Sequence, residues 1–244
     1  MRKTLVIIIS VLGFLNSYAQ LNTRTVGFQF KPIFNSKFLE TGEVKEDTLG
    51  VSFSHLPKFG FCGGMVIRMG LTKRISLETG INYVRRDYEF SLTDSGFLEK
   101  KKFKTISYEI PIMGMVFVRL GEKLYMNTAL GGSLDIFPSN YNIHSSYYNN
   151  NIFRDAWLSP ALLANLGFEY RTEKSGYFYI GASYHRPFNK IFISEVEYNG
   201  MVPPVFKKMQ FSGNYLTLDL RYFFHEDPGK RKVKREKRQK NLSN

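Results

Sequence analysis

The sequence predicts an all-β protein, an antiparallel transmembrane β-barrel of about eight strands. Three observations support this: stretches that alternate apolar and polar residues, connections that alternate long and short, and an export signal. The alternation is clearest from Tyr215 to Phe224, where a period of two predicts a strand with two different faces. Ten tilted residues span about 24 Å, close to the roughly 25 Å apolar band of outer-membrane barrels. The apolar positions are Leu216, Leu218, Leu220, Tyr222 and Phe224.

The N-terminal segment is typical of a secretory signal peptide. A basic opening is followed by the apolar run Leu5 to Leu15 and by small side chains at Ser17 and Ala19. The run is shorter than the roughly 20 residues that a membrane-spanning helix needs. We therefore expect residues 1–19 to be removed after Ala19 and the mature chain to reach the outer membrane.

The composition fits one barrel over residues 20–224. The chain contains 22 Phe and 15 Tyr, yet its mean hydropathy is only −0.24. After Gln20 no stretch of 18 apolar residues occurs, which excludes ordinary membrane helices from the mature sequence. The single cysteine, Cys62, can form no internal disulfide, so we expect stability to come from a closed ladder of backbone hydrogen bonds.

The remaining strands follow from the same alternation. Pro111 interrupts the fourth strand and predicts a local bulge or irregularity, because proline cannot donate to the ladder. The eight strands are predicted near residues 26–34, 61–69, 75–86, 105–120, 124–135, 162–170, 178–185 and 215–224.

The connections alternate in length. Short turns are predicted at 70–72, 121–123 and 171–176, and long polar loops at 35–58, 91–103, 137–154 and 187–210. Bacterial outer-membrane barrels have short periplasmic turns and long external loops, so we expect both termini on the periplasmic side.

The charged positions of these strands are predicted to face the barrel interior. Eight strands enclose a lumen that side chains can fill, and buried charges require partners, so we expect a plug of ion pairs. A narrow polar conduit for solutes is the alternative. A soluble barrel with the apolar faces turned inward is also compatible with this pattern alone; the loop alternation and the aromatic strand end favour the membrane. The charges are Arg68, Glu78, Arg86, Glu109, Arg119, Glu169, Asp219 and Arg221.

We predict no catalytic, cofactor-binding or metal-binding residue. The sharpest enzymatic candidate is His144 with Ser146, since lipid A deacylases on eight-stranded barrels use a His and a Ser with an acid. The nearest acids, Asp135 and Asp155, lie about ten residues away, and a nucleophile needs its base within hydrogen-bond reach. His185 has no second His or Cys at ligand spacing, so we expect it to be a lumen residue.

The formal net charge is +13, and residues 225–244 alone carry eight Lys or Arg against three acids. Residues 225–244 are predicted to be a disordered basic periplasmic tail, because like charges repel. We expect this tail either to contact a periplasmic partner or an anionic surface, or to remain solvated. An exported chain gives no reason to expect nucleic-acid binding. The basic residues are Lys230, Arg231, Lys232, Lys234, Arg235, Lys237, Arg238 and Lys240.

The SLETGINY run at residues 76–83, the YEIPIM run at 108–113 and the aromatic closing strand resemble the PorT-like outer-membrane β-barrel family of Bacteroidota. The resemblance covers nearly the whole mature chain. It implies a barrel surrounded by outer-membrane lipid and inserted by the β-barrel insertion machinery. We expect a non-enzymatic structural or partner-binding role, as an accessory of an envelope or secretion assembly. A small-solute channel and a lipid-modifying enzyme are the alternatives.

Overall fold

A computed structural model describes residues 24–36, 39–72 and 74–225. The predicted signal peptide lies outside these ranges, as does the predicted tail beyond residue 225. No helix in the described ranges is long and apolar enough to cross a membrane. The ranges contain thirteen strands: β1 (Arg24–Phe34), β2 (Val44–Thr48), β3 (Val51–Gly70), β4 (Ile75–Asp94), β5 (Phe97–Arg119), β6 (Leu124–Ile136), β7 (Tyr141–His144), β8 (Tyr148–Arg154), β9 (Leu158–Arg171), β10 (Tyr177–Pro187), β11 (Phe192–Tyr198), β12 (Val205–Phe211) and β13 (Tyr215–Phe223).

Eight of these strands are hydrogen-bonded into a closed ring, called the strand ring below. Strand β1 pairs with β13 on one side and with β3 on the other, and every pairing in the ring is antiparallel. The order around the ring is β1, β13, β10, β9, β6, β5, β4 and β3. The predicted total of about eight strands is too low for the chain, because segments predicted as loops also form strands.

The strand ring is apolar outside and polar inside. Outward side chains such as Phe28, Leu130 and Ile180 are 57%, 62% and 53% exposed, whereas Asn82 and Asp219 inside are 0% exposed. The alternation of β13 has the predicted polarity, with its even-numbered residues outside. A soluble barrel would bury its apolar face, so that alternative does not fit this structure.

The predicted long loops build a second layer, a two-sheet β-sandwich above one end of the ring. Strands β3, β4 and β5 continue past the ring and carry β2 at the edge; they face a four-stranded sheet in the order β12, β11, β8 and β7. The prediction of polar loops is wrong here. The core of the sandwich consists of Val51, Phe53, Tyr88, Phe90, Leu92, Phe137, Ile143, Tyr148, Ile152, Ile191, Phe192, Val196, Tyr198, Val205, Met209 and Phe211.

The change from ring to sandwich reverses which face of the strands is apolar. In β3 a register shift between Pro57 and Gly60 turns odd-numbered residues from the sandwich core, as at Phe53, to the outer face of the ring, as at Met65. At Pro111 the β4–β5 register does not shift, but the ladder is interrupted: the recorded pairs pass from Thr79–Ile112 to Asn82–Glu109, so the predicted irregularity is present without a bulge. The register shift itself lies at the junction of the two layers.

Candidate functional site

An ion-paired network fills the ring interior near the short turns. Glu78 lies between two arginines: Arg68 Nη2 donates to its Oε2 at 3.2 Å and Arg221 Nη1 donates to its Oε1. Arg68 Nη1 also donates to Glu169 Oε2 at 2.5 Å, and Arg221 Nη2 to Asp219 Oδ2 at 2.6 Å. All five side chains are buried, and each charge has a partner of opposite sign. We call this set, together with the layers around Asp219 and Glu109 that are described below, the lumen network.

The predicted inward charges are largely confirmed as interior residues. The exception is Arg119, which is exposed at the rim, where its Nε donates to the Gly121 carbonyl at 2.9 Å. Arg119 is the last residue of β5 and pairs with Tyr125 at the edge of the ring, so its side chain reaches the rim. The buried charges are Arg68, Glu78, Arg86, Glu109, Glu169, Asp219 and Arg221.

The middle layer of the lumen network is built on Asp219. Thr217 Oγ1 donates to its Oδ1 at 2.6 Å, and Ser183 Oγ and Asn165 Nδ2 donate to its Oδ2 at 2.5 and 3.0 Å. Tyr179 closes the layer by donating from its hydroxyl to Asn165 Oδ1 at 2.8 Å. These bonds satisfy polar groups that would otherwise be costly to bury.

The upper layer centres on Glu109. Tyr215 donates to its Oε2 at 2.5 Å and Asn82 donates to its Oε1 at 2.6 Å. The His185 ring stacks on Tyr215 with a centroid separation of 4.3 Å. Its Nε2 lies 2.9 Å from Asp135 Oδ2 and 3.6 Å from Glu109 Oε2. The layer therefore brings one imidazole and two carboxylates together in the ring interior.

This upper layer offers ligand-type atoms for a cation. Atoms of Glu109, Asp135 and His185 lie within 4.8 Å of one another, and such atoms suit Zn²⁺. However, both Glu109 oxygens already accept hydrogen bonds. His185 Nδ1 makes no hydrogen bond to any described residue, whereas a metal-bound imidazole almost always donates from its other nitrogen. The arrangement suits packing of the lumen better than metal binding.

The lumen network ends at the sandwich without a wide opening between them. A cavity of about 30 Å³ lies where the two meet, lined by Arg86 and Tyr215 from below and by His55 and Phe211 from above. This volume holds one or two water molecules. Inward side chains on the ring side of this junction, such as Asn82 and Asp219, are fully buried, so little space is left between the two layers.

His55 is the buried polar centre of the sandwich. Its ring lies 4.9, 5.8 and 4.8 Å from the rings of Phe90, Phe103 and Phe211. Burial lowers the pKa of His55 to about 3, so the imidazole is neutral at ordinary pH. Burial also raises the pKa of Tyr148, in the same core, to about 12.

The His144 and Ser146 pair is not assembled as a catalytic site. Both residues are exposed at the tip between β7 and β8. The side-chain hydrogen bond recorded for the His144 ring joins Nδ1 to Asn142 Oδ1 at 3.2 Å. Asp135, one of the two candidate acids, is buried in the lumen network and pairs with His185 instead.

Several residues of these clusters were missed by the sequence prediction. Lys31, Tyr179 and Tyr215 point into the ring, and their positions in the alternation of β1, β10 and β13 would have placed them there. Lys31 Nζ lies 3.7 Å from Asp219 Oδ2. His55 carried no such signal, because its segment was assigned to a loop.

Comparison with known proteins shows the fold. No protein-family model matches the chain, and no curated protein sequence matches it. Among solved structures it is similar to the outer membrane protein OprG from Pseudomonas aeruginosa, with a TM-score of 0.54 and 10% sequence identity over 84% of this chain and 97% of that one. At this identity the likeness shows a common fold, that of an outer-membrane β-barrel protein.

Proposed function

We propose that this protein is an outer-membrane β-barrel with a sealed lumen, which acts as a non-enzymatic structural or partner-binding component of the cell envelope. The observation that supports this most strongly is the polarity of the strand ring, apolar outside and ion-paired inside. A bilayer can surround such a surface, because every backbone group of a closed ring is paired. The likeness to OprG supports the same architecture.

The proposed orientation puts the sandwich at the cell surface. The β3–β4, β5–β6 and β9–β10 connections are short and lie at one end of the ring, where β1 begins and β13 ends. Short turns of bacterial outer-membrane barrels face the periplasm. Both ends of the ring, and the basic tail that follows, would then be periplasmic.

The lumen network argues for a sealed barrel rather than a solute channel. Opening it would separate buried ion pairs such as those of Glu78, and removal of one partner of a buried pair costs about 3–5 kcal/mol. With the interior filled, the surfaces left for function are the sandwich and the periplasmic tail. The proposal also includes membership of the PorT-like family of Bacteroidota, cleavage of a signal peptide and insertion by the β-barrel machinery.

Electrical recording in planar bilayers tests the sealed lumen. The purified protein, refolded into detergent, is expected to insert without producing steady conductance steps. A variant with Arg68 and Arg221 both replaced by Ser is the comparison, since it removes both arginines that pair with Glu78. A steady open state of the wild-type protein would contradict the sealed barrel and favour the channel.

Affinity purification from outer membranes tests the partner-binding role. The tagged protein is isolated in mild detergent with and without residues 229–244. A stoichiometric protein that is lost with the tail is the expected result. If the barrel is recovered alone in both cases, partner binding through the tail is wrong.

A further inference from the structure

A basic groove lies on the outer face of β3, β4 and β5, at the level where the ring becomes the sandwich. Its volume is about 760 Å³. Its basic residues are Lys58, Arg85, Lys102 and Lys104, and Phe59 beside them is 63% exposed. We call this surface the boundary groove.

The strand register fixes the height of the boundary groove. Tyr83 pairs with Tyr108, the next outward pair places Arg85 beside Ile106, and the one above places Asp87 beside Lys104. The rings of Tyr83 and Tyr108 are 6.1 Å apart. Aromatic residues of outer-membrane barrels mark the bilayer interface. The basic residues therefore begin one outward pair above an aromatic pair, at the headgroup level of the outer leaflet.

The charges of the boundary groove are unbalanced. Arg85 donates to both oxygens of Asp87, at 2.8 and 2.9 Å, and Lys58 lies 3.2 Å from Glu89. Lys102 and Lys104 are exposed, and neither pairs with a carboxylate within the described ranges. Four cations thus face two anions, and the two unpaired ammonium groups project from adjacent outward positions of one strand.

We propose that the boundary groove binds a phosphorylated glycolipid of the outer leaflet. Lys102 and Lys104 bind its phosphate groups, and Arg85, held by Asp87, supplies a third donor. The acyl chains lie against Phe59 and the aromatic pair below. This inference rests on the proposed outer-membrane location. The charge complementarity and the contiguous apolar surface support a lipid in preference to a protein.

The test is binding of lipid A with two phosphates to the full-length mature protein in detergent, compared with dephosphorylated lipid A. The binding variant is Lys102→Gln with Lys104→Gln. The control is Lys207→Gln with Lys208→Gln, which removes the same charge from β12 in the sandwich, where the lysines pair with Glu46 and Glu195. Each lysine near an anionic lipid surface contributes about fivefold in affinity.

Phosphorylated lipid A is expected to bind wild type and control alike, and the binding variant roughly tenfold or more weakly. Added salt should reduce wild-type binding, because the contacts are exposed ion pairs. Equal binding of both lipids, or equal binding by wild type and the binding variant, would overturn the proposal. Charge reversal at both positions, Lys102→Glu with Lys104→Glu, should weaken binding further than neutralisation.

Insertion into lipid vesicles, followed by protease protection of the strand ring, is measured in parallel. Failure of the wild-type protein to insert would overturn the proposed function and this inference together. Normal insertion without phosphate-dependent binding would overturn the lipid site alone.

Discussion

His55 Nε2 and Ser194 Oγ lie 2.9 Å apart, within hydrogen-bond distance, and this contact joins the two sheets of the sandwich through its core. Ser194 itself donates to Asn150 Oδ1 at 2.7 Å, which leaves its oxygen free to accept. The imidazole therefore carries its proton on Nε2. Ser194 Oγ is therefore the acceptor for the buried Nε2–H group of His55.

Replacing Ser194 by Ala should destabilise the sandwich. The substitution leaves the His55 N–H buried without an acceptor, which costs about 1–3 kcal/mol. Hydrogen exchange of the sandwich amides measures the loss in local stability. The control is Ser212→Ala, since Ser212 is only half-buried and its bond to the Glu40 carbonyl is accessible to water. Equal effects of the two substitutions would contradict a special role for the His55–Ser194 bond.

Acid should loosen the sandwich through His55. Burial lowers the pKa of His55 to about 3 from its ordinary value of 6.5, so below pH 6.5 the unfolded chain binds a proton that the folded sandwich does not. The contribution to stability is complete above pH 6.5 and is lost progressively as the pH falls toward 3. The slope approaches about 1.4 kcal/mol per pH unit. His55→Gln, which does not titrate, should flatten this slope in urea unfolding followed by hydrogen exchange; an unchanged slope would assign the acid sensitivity to other groups.

Glu78→Gln should destabilise the strand ring by about 3–5 kcal/mol, because it leaves Arg68 and Arg221 buried with one carboxylate fewer. Urea unfolding from lipid vesicles measures the change. Glu173→Gln is the matched control, since its ion pair with Lys123 is exposed and contributes little to stability. A Glu78 variant as stable as the control would mean that the lumen charges are hydrated rather than paired.

Gly181 should not tolerate a larger residue. A Cβ atom there would lie 2.5 Å from the Leu166 carbonyl oxygen and 2.6 Å from Tyr179 Cζ. Gly181→Ala is expected to cost about 1–3 kcal/mol as overpacking. At Gly114 the nearest atom is 3.7 Å away, so Gly114→Ala should be tolerated. Urea unfolding from lipid vesicles compares the two variants. Equal stabilities would show that the residues around Tyr179 can rearrange to accommodate the added methyl group.

The strand ring was readable from sequence, whereas the sandwich was not. Within the ring each strand keeps one apolar face, so a period of two is continuous along β13. In β4 the apolar set moves from odd positions, as at Ile81, to even positions, as at Phe90 and Leu92. The apolar positions change because β4 presents its apolar residues on the outer face in the ring and in the protein core in the sandwich. When β4 is interpreted as a single alternating pattern, the change from odd to even apolar positions resembles the end of a strand.

The lumen network was predictable by residue type but not by partner. Alternation places Glu78, Glu169 and Arg221 inside the ring. Which carboxylate meets which arginine depends on register between strands distant in sequence, as for Glu78 and Arg221. The upper layer, where His185 meets Asp135, depends on β6 and β10, which do not pair with each other.

Cysteine accessibility in intact cells tests most directly the claim that the strand ring spans the outer membrane with the sandwich outside. The native Cys62 is 0% exposed, so the maleimide is expected to label only the introduced cysteine. Lys208→Cys lies in the sandwich, Glu122→Cys in a short turn, and Leu130→Cys on the apolar outer face. A membrane-impermeant maleimide should label Lys208→Cys in intact cells, Glu122→Cys only after permeabilisation, and Leu130→Cys only in detergent. Labelling of Glu122→Cys or Leu130→Cys in intact cells would contradict the account.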